Sequence, residues 1–130
     1  MSAQTRFSYQ VPENGTIPAQ GRRFLRVWDK SSANTELVVS ATPGKLSLIK
    51  KVVVVFSGNA SLNVTVETVS GLGSDYNHTS QVLPVTNDSE IGWTPSQEHV
   101  VHPDDAVKVT VPAAGLNVTA AVLLELEIYP

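Results

Sequence analysis

The sequence contains no cysteine, which excludes disulfides, thiolate nucleophiles and cysteine-held zinc. Charge is scarce as well: Asp, Glu, Lys and Arg make up 16% of the 130 residues, with a net charge of -3. A dedicated nucleic-acid binder carries a basic stripe. The cluster Arg22, Arg23 and Arg26 is too small to supply one, so no nucleic-acid partner is expected. No apolar run approaches the ~18 residues of a membrane-crossing helix; the longest, Lys51 to Phe56, has strand length, and no membrane partner is expected. The opening Met-Ser-Ala-Gln-Thr-Arg is polar and lacks the apolar stretch of a signal peptide, which predicts synthesis in a cytoplasm. A helical hydrophobic period is missing too.

What is present is a period of two. Hydrophobic residues make up 42%, enough for one globular domain with a real core, and the β-branched ones are dense. Phe7 to Val11 reads as a short strand, followed by a loop rich in Pro, Asn and Gly. Arg23 to Asp29 alternates, with Leu25 and Val27 on one face and Phe24, Arg26 and Trp28 on the other. Glu36 to Ser40 is a strand ended by Thr42-Pro43-Gly44. Lys50 to Phe56 is apolar on both faces, which places it either at the centre of a sandwich or against a partner. Ser57-Gly58-Asn59-Ala60 predicts a hairpin turn before the alternating strand Leu62 to Val69. Gln81 to Val85 carries Pro84, which suits an edge, and Asn87-Asp88-Ser89 predicts a turn before Glu90 to Trp93. Glu98 to Val101, Val107 to Val111 and Val118 to Tyr129 complete the set, the last expected to be the longest. The fold class is all-β, an antiparallel β-sandwich or jelly roll of about eight strands. Residues 1–20 are expected to form an extended N-terminal arm and 21–130 the sandwich domain.

Each chemical motif has a plainer explanation. His99 and His102 stand three apart, which on a strand directs them to opposite faces, so no metal site is expected. Asp75, Asn77 and Asp88 match no calcium-loop spacing and suit turns. Ser74, Asp75 and His78 lie close in sequence but without a nucleophile elbow. Gly71-Leu72-Gly73 precedes no helix and so cradles no phosphate. Glu125 and Glu127 share a strand face that reads as solvent-exposed rather than as a glycosidase pair. The six Asn-x-Ser/Thr triplets, beginning at Asn14, Asn59, Asn63, Asn77, Asn87 and Asn117, fit turn-rich β-protein composition. No enzyme activity and no cofactor are expected. Trp28, Trp93, Tyr76 and Tyr129 are candidates for a sugar platform or protein anchor; against that, the core is the favoured expectation for Trp28, whereas Trp93 fits core and partner surface equally well.

Two stretches resemble small virion structural proteins of tailed bacteriophages. The first is Phe7-Ser-Tyr-Gln-Val11 with Gly15-Thr-Ile-Pro-Ala-Gln-Gly-Arg-Arg-Phe-Leu-Arg-Val27. The second is Gly71-Leu-Gly-Ser-Asp-Tyr76 with Trp93-Thr-Pro95 and His102-Pro-Asp-Asp-Ala-Val-Lys-Val109. The resemblance implies a β-sandwich on the particle surface, a capsid decoration (cement) protein whose partner is the major capsid protein. It also implies self-association, often as trimers, an arm that grips a neighbour, and a place on the capsid surface after synthesis in the host cytoplasm. A tail, baseplate or head-fibre module binding host surface glycans is the alternative. The partner-binding residues expected on these grounds are Phe7, Tyr9, Val11, Val53, Val55, Tyr76 and Trp93.

Overall fold

Strands form where alternate side chains can be buried and branched ones sit well on a pleated surface. The computed structural model of this chain describes residues 6–10 by backbone pairing and 23–129 in full, and it is built from such segments. The strands are β1 (Arg6–Gln10), β2 (Arg23–Lys30), β3 (Leu37–Ala41), β4 (Ser47–Val69), β5 (His78–Trp93), β6 (Val100–Val101), β7 (Ala106–Val111) and β8 (Ala120–Ile128). The fold is all-β and every pairing is antiparallel. The sheet runs β1-β2-β8-β4-β7-β3, with β5 and β6 also paired to β4.

β4 joins the two halves of this sheet. Its first part, Ser47 to Phe56, pairs with β8, and its last part, Thr65 to Val69, pairs with β7. β5 follows it along both parts, from Val52↔Trp93 to Thr68↔His78. Between the parts the ladder slips, at Val55/Ala60 and again at Ala60/Leu62. There Asn87 on β5 takes a left-handed φ of 51°, and its N–H donates to Ser61 Oγ at 2.9 Å. Bulges of this kind bend a strand and increase its twist. The sheet therefore curls until β2 lies alongside β3 without pairing to it, which makes the molecule nearly a barrel.

The inward side chains form a single core. Val27 on β2, Val39 on β3, Val54 and Val66 on β4, Val109 on β7 and Leu124 on β8 have no accessible surface. A bulge between Ile49 and Lys51 resets the alternation, so that Ile49 and Val52 both point inward while Lys50 and Lys51 stay out of the core.

Two expected turns are absent. Ser57 to Ala60 does not reverse the chain, because Ser57 stays tied to the segment entering β8: its N–H donates to Thr119 O at 2.9 Å, and its Oγ accepts from Thr119 N at 2.9 Å. Asn87 to Ser89 is likewise a bulge within β5. The longest strand is accordingly β4, with 23 residues, not the final strand, which has 9. Pro84 sits opposite Asn63 on β5, whose other edge pairs with no described strand; a residue without an N–H is tolerated there. The expected arm, residues 1–20, lies outside the described residues except for β1, and so does the boundary at 20/21.

Candidate interaction surface

The outer face of the β2–β8–β4 half carries an apolar row. Trp28, Leu123 and Val53 lie directly across from one another, and Gly92 on β5 continues the row. The next row reads Lys30, Ala121, Val55 and Glu90. Directly opposed residues on neighbouring strands share a face, and of these residues Trp28, Lys30, Val53, Val55, Ala121 and Leu123 line an open groove of about 530 Å³. Val55 is 46% exposed, and Val53, Trp28 and Leu123 are half-buried. The doubly apolar strand predicted at Lys50 to Phe56 thus buries Val52, Val54 and Phe56 and offers Val53 and Val55 to the groove.

Ion pairs border the groove on one side. Arg26 Nε donates to Glu125 Oε2 at 2.6 Å, and Lys50 Nζ lies 3.6 Å from Glu127 Oε1. Glu127 is therefore no solvated carboxylate: it is 4% exposed and shares a depression with Lys50, Tyr129 and residues 94–98. Paired to cations, neither glutamate stands as a free acid facing an open site.

The other half of the sheet has its own outer row, Val38, Thr110, Thr65 and Val82 across β3, β7, β4 and β5. Both valines are 44% exposed. Lys108 and Glu67, 3.1 Å apart, lie beside it. Two weakly charged outer faces thus turn away from one core.

The remaining expected residues scatter. Tyr76 is 62% exposed and ends the 3-10 turn Ser74–Tyr76. Trp93 packs partly against the core and meets His99 edge to face, with ring centroids 5.2 Å apart. Beside this pair a shallow pocket of about 150 Å³ is lined by Gln81, Pro95, Ser96 and Gln97. Phe7 and Tyr9 occupy ladder positions opposite Val27 and Leu25, and Val11 lies outside the described residues. Val53 and Val55 come together; Tyr76 and Trp93 do not join them.

Trp28 is a correction: it lies on the outer face, not in the core. It shares an alternation phase with Phe24 and Arg26, opposite to Leu25 and Val27, and that phase was the signal for it. Leu123, between the inward Val122 and Leu124, carried the same signal.

The other clusters stay apart. Asn77 Oδ1 accepts from Ser70 N at 2.8 Å, while Asp88 pairs at the level of Ala60 and His78 at that of Thr68, a separation of about 25 Å along an extended strand. His78 Nδ1 lies 3.4 Å from Tyr76 O rather than at the Ser74 hydroxyl. Gly71 marks a close approach of loops. Its N–H donates to Asp105 Oδ1 at 2.9 Å, and a Cβ there would sit 2.5 Å from Asp104 Cβ. No group of three or more His, Asp or Glu side chains suited to a metal occurs among the described residues. No protein-family model matches the chain, and neither does any curated protein.

Proposed function

We propose that this chain is a non-enzymatic structural protein of a tailed-bacteriophage virion, a capsid decoration protein that binds the assembled head and strengthens contacts between major capsid subunits. The curled sheet is read here as a β-sandwich whose halves share β4 and β5. The observation that carries the proposal is the pair of weakly charged outer faces, the Trp28–Leu123–Val53 row and the Val38–Thr110–Thr65–Val82 row, on opposite halves of one sheet. A lattice protein needs one surface for its own kind and another for the shell, and burying such rows supplies about 25 cal/mol per Å² of apolar area. A protein that binds the assembled shell better than its loose subunits stabilises the shell by mass action, and several linked copies add avidity.

The test is heat resistance of purified heads stripped of this protein. Adding it back is expected to raise the temperature at which the heads release DNA, and heads whose release temperature stays unchanged would count against the proposal.

The alternative, a tail, baseplate or head-fibre module for host glycans, is favoured by one observation: Trp93 and His99 beside Gln81 and Gln97 in a shallow pocket. Aromatic faces and amides are suited to sugar rings. That reading predicts saturable binding of host surface polysaccharide that Trp93→Ala abolishes.

A further inference from the structure

The groove-bearing face is self-complementary, and we propose that it is covered by a second copy of this chain, packed face to face about a two-fold axis that runs parallel to the strands between β8 and β4.

The ladder positions dictate the match. Across the sheet the order is β2, β8, β4, β5, and a two-fold axis between β8 and β4 sets each strand against its mirror position: β2 against the partner's β5, β8 against the partner's β4. In the first row, Leu123 then faces the partner's Val53, and Trp28 faces the partner's Gly92. The largest side chain of the row meets the residue with none. In the second row, Ala121 faces the partner's Val55, and Lys30 faces the partner's Glu90. In the third, Glu125 faces the partner's Lys51. Each of these opposed pairs is apolar on apolar or cation on anion, and each occurs twice, as an isologous interface requires. Lys30 and Glu90 are both exposed, and they stand at the two ends of an otherwise apolar row. Those are the rim positions at which charges set register more than affinity. Aligned packing of twisted sheets at ~10 Å suits interdigitating side chains of this size.

An axis perpendicular to the strands would instead set each strand on its own copy with the rows reversed. Placed between the two rows, it opposes Trp28 to the partner's Lys30 and Glu90 to the partner's Gly92, which leaves neither charge against its opposite and the space at Gly92 unfilled by Trp28. The resemblance to decoration proteins implies self-association, often as trimers; this face closes as a dimer. The inference does not rest on head binding, because the purified protein alone decides it.

The experiment is sedimentation equilibrium of the full chain together with four variants. The wild type is expected to sediment with twice the chain mass. Lys30→Glu and Glu90→Lys are each expected to weaken the dimer about tenfold or more, by setting like charges against each other, and the double variant to restore it. Gly92→Arg is expected to abolish the dimer by occupying the space for Trp28. It should leave the fold intact, since a Cβ at Gly92 meets nothing closer than 3.8 Å, and circular dichroism checks this. A monomeric or trimeric wild type, single charge variants that dimerise as well as the wild type, a double variant that fails to regain the dimer, or a folded Gly92→Arg that still dimerises would each overturn the proposal.

Discussion

Val54 has no accessible surface and is flanked on its ladder by Val122 and Ile91, so a carboxylate at this position would find an apolar setting on both sides. Val54→Asp is expected to cost more than about 3 kcal/mol, the penalty of a buried unpaired charge, measured by urea denaturation. Leu124→Ala, at a fully buried position of β8, removes packing without adding charge and is expected to cost about 2–5 kcal/mol in the same assay. Val53→Ala, one position from Val54 but facing the groove, is expected to change monomer stability by less than about 1 kcal/mol. At this scale alternation was highly legible: Leu25 and Val27 inward, Val107, Val109 and Val111 inward, Leu124 and Leu126 inward. Trp28, which lies on the outer face, was misplaced because a lone tryptophan on a strand carries a strong expectation of burial, and that expectation outweighed the outward phase it shares with Phe24 and Arg26.

The β4–β5 hairpin decides the shape of the molecule, and its corner is set by a few residues. Asn87 holds a left-handed conformation, which asparagine adopts far more readily than most residues, and its N–H is satisfied by Ser61. Asn87→Ala is expected to destabilise the fold by about 1 kcal/mol, and Asn87→Gly by much less, as read from thermal midpoints. Gly71→Ala is expected to cost about 1–3 kcal/mol by forcing the 70–73 loop away from Asp104. Strand identities were legible from composition, but the turns at Ser57–Ala60 and Asn87–Ser89 were not. Asn, Gly and Ser are turn formers in isolation, and whether they reverse a chain or bulge within it depends on a partner strand distant in sequence. Ser57 is held by Thr119 and Asn87 by Ser61, contacts that no local pattern encodes.

At the scale of the whole molecule, one curled antiparallel sheet presents two weakly charged outer faces around a core. β1 ends the sheet path and pairs with β2, so a chain lacking residues 1–20 is expected to fold cooperatively, by far-ultraviolet circular dichroism, and, under the proposed decoration role, to bind heads more weakly than the full chain. That the chain is all-β followed from its period of two and its density of valine. The way the two halves share β4 did not, because pairing partners are set by tertiary register. The measurement that tests the proposed decoration role most directly is co-sedimentation of the purified full chain with tailed-bacteriophage heads stripped of their decoration protein. The account predicts binding that saturates at a fixed ratio to the major capsid subunit. Protein that stays in the supernatant at every concentration would contradict it.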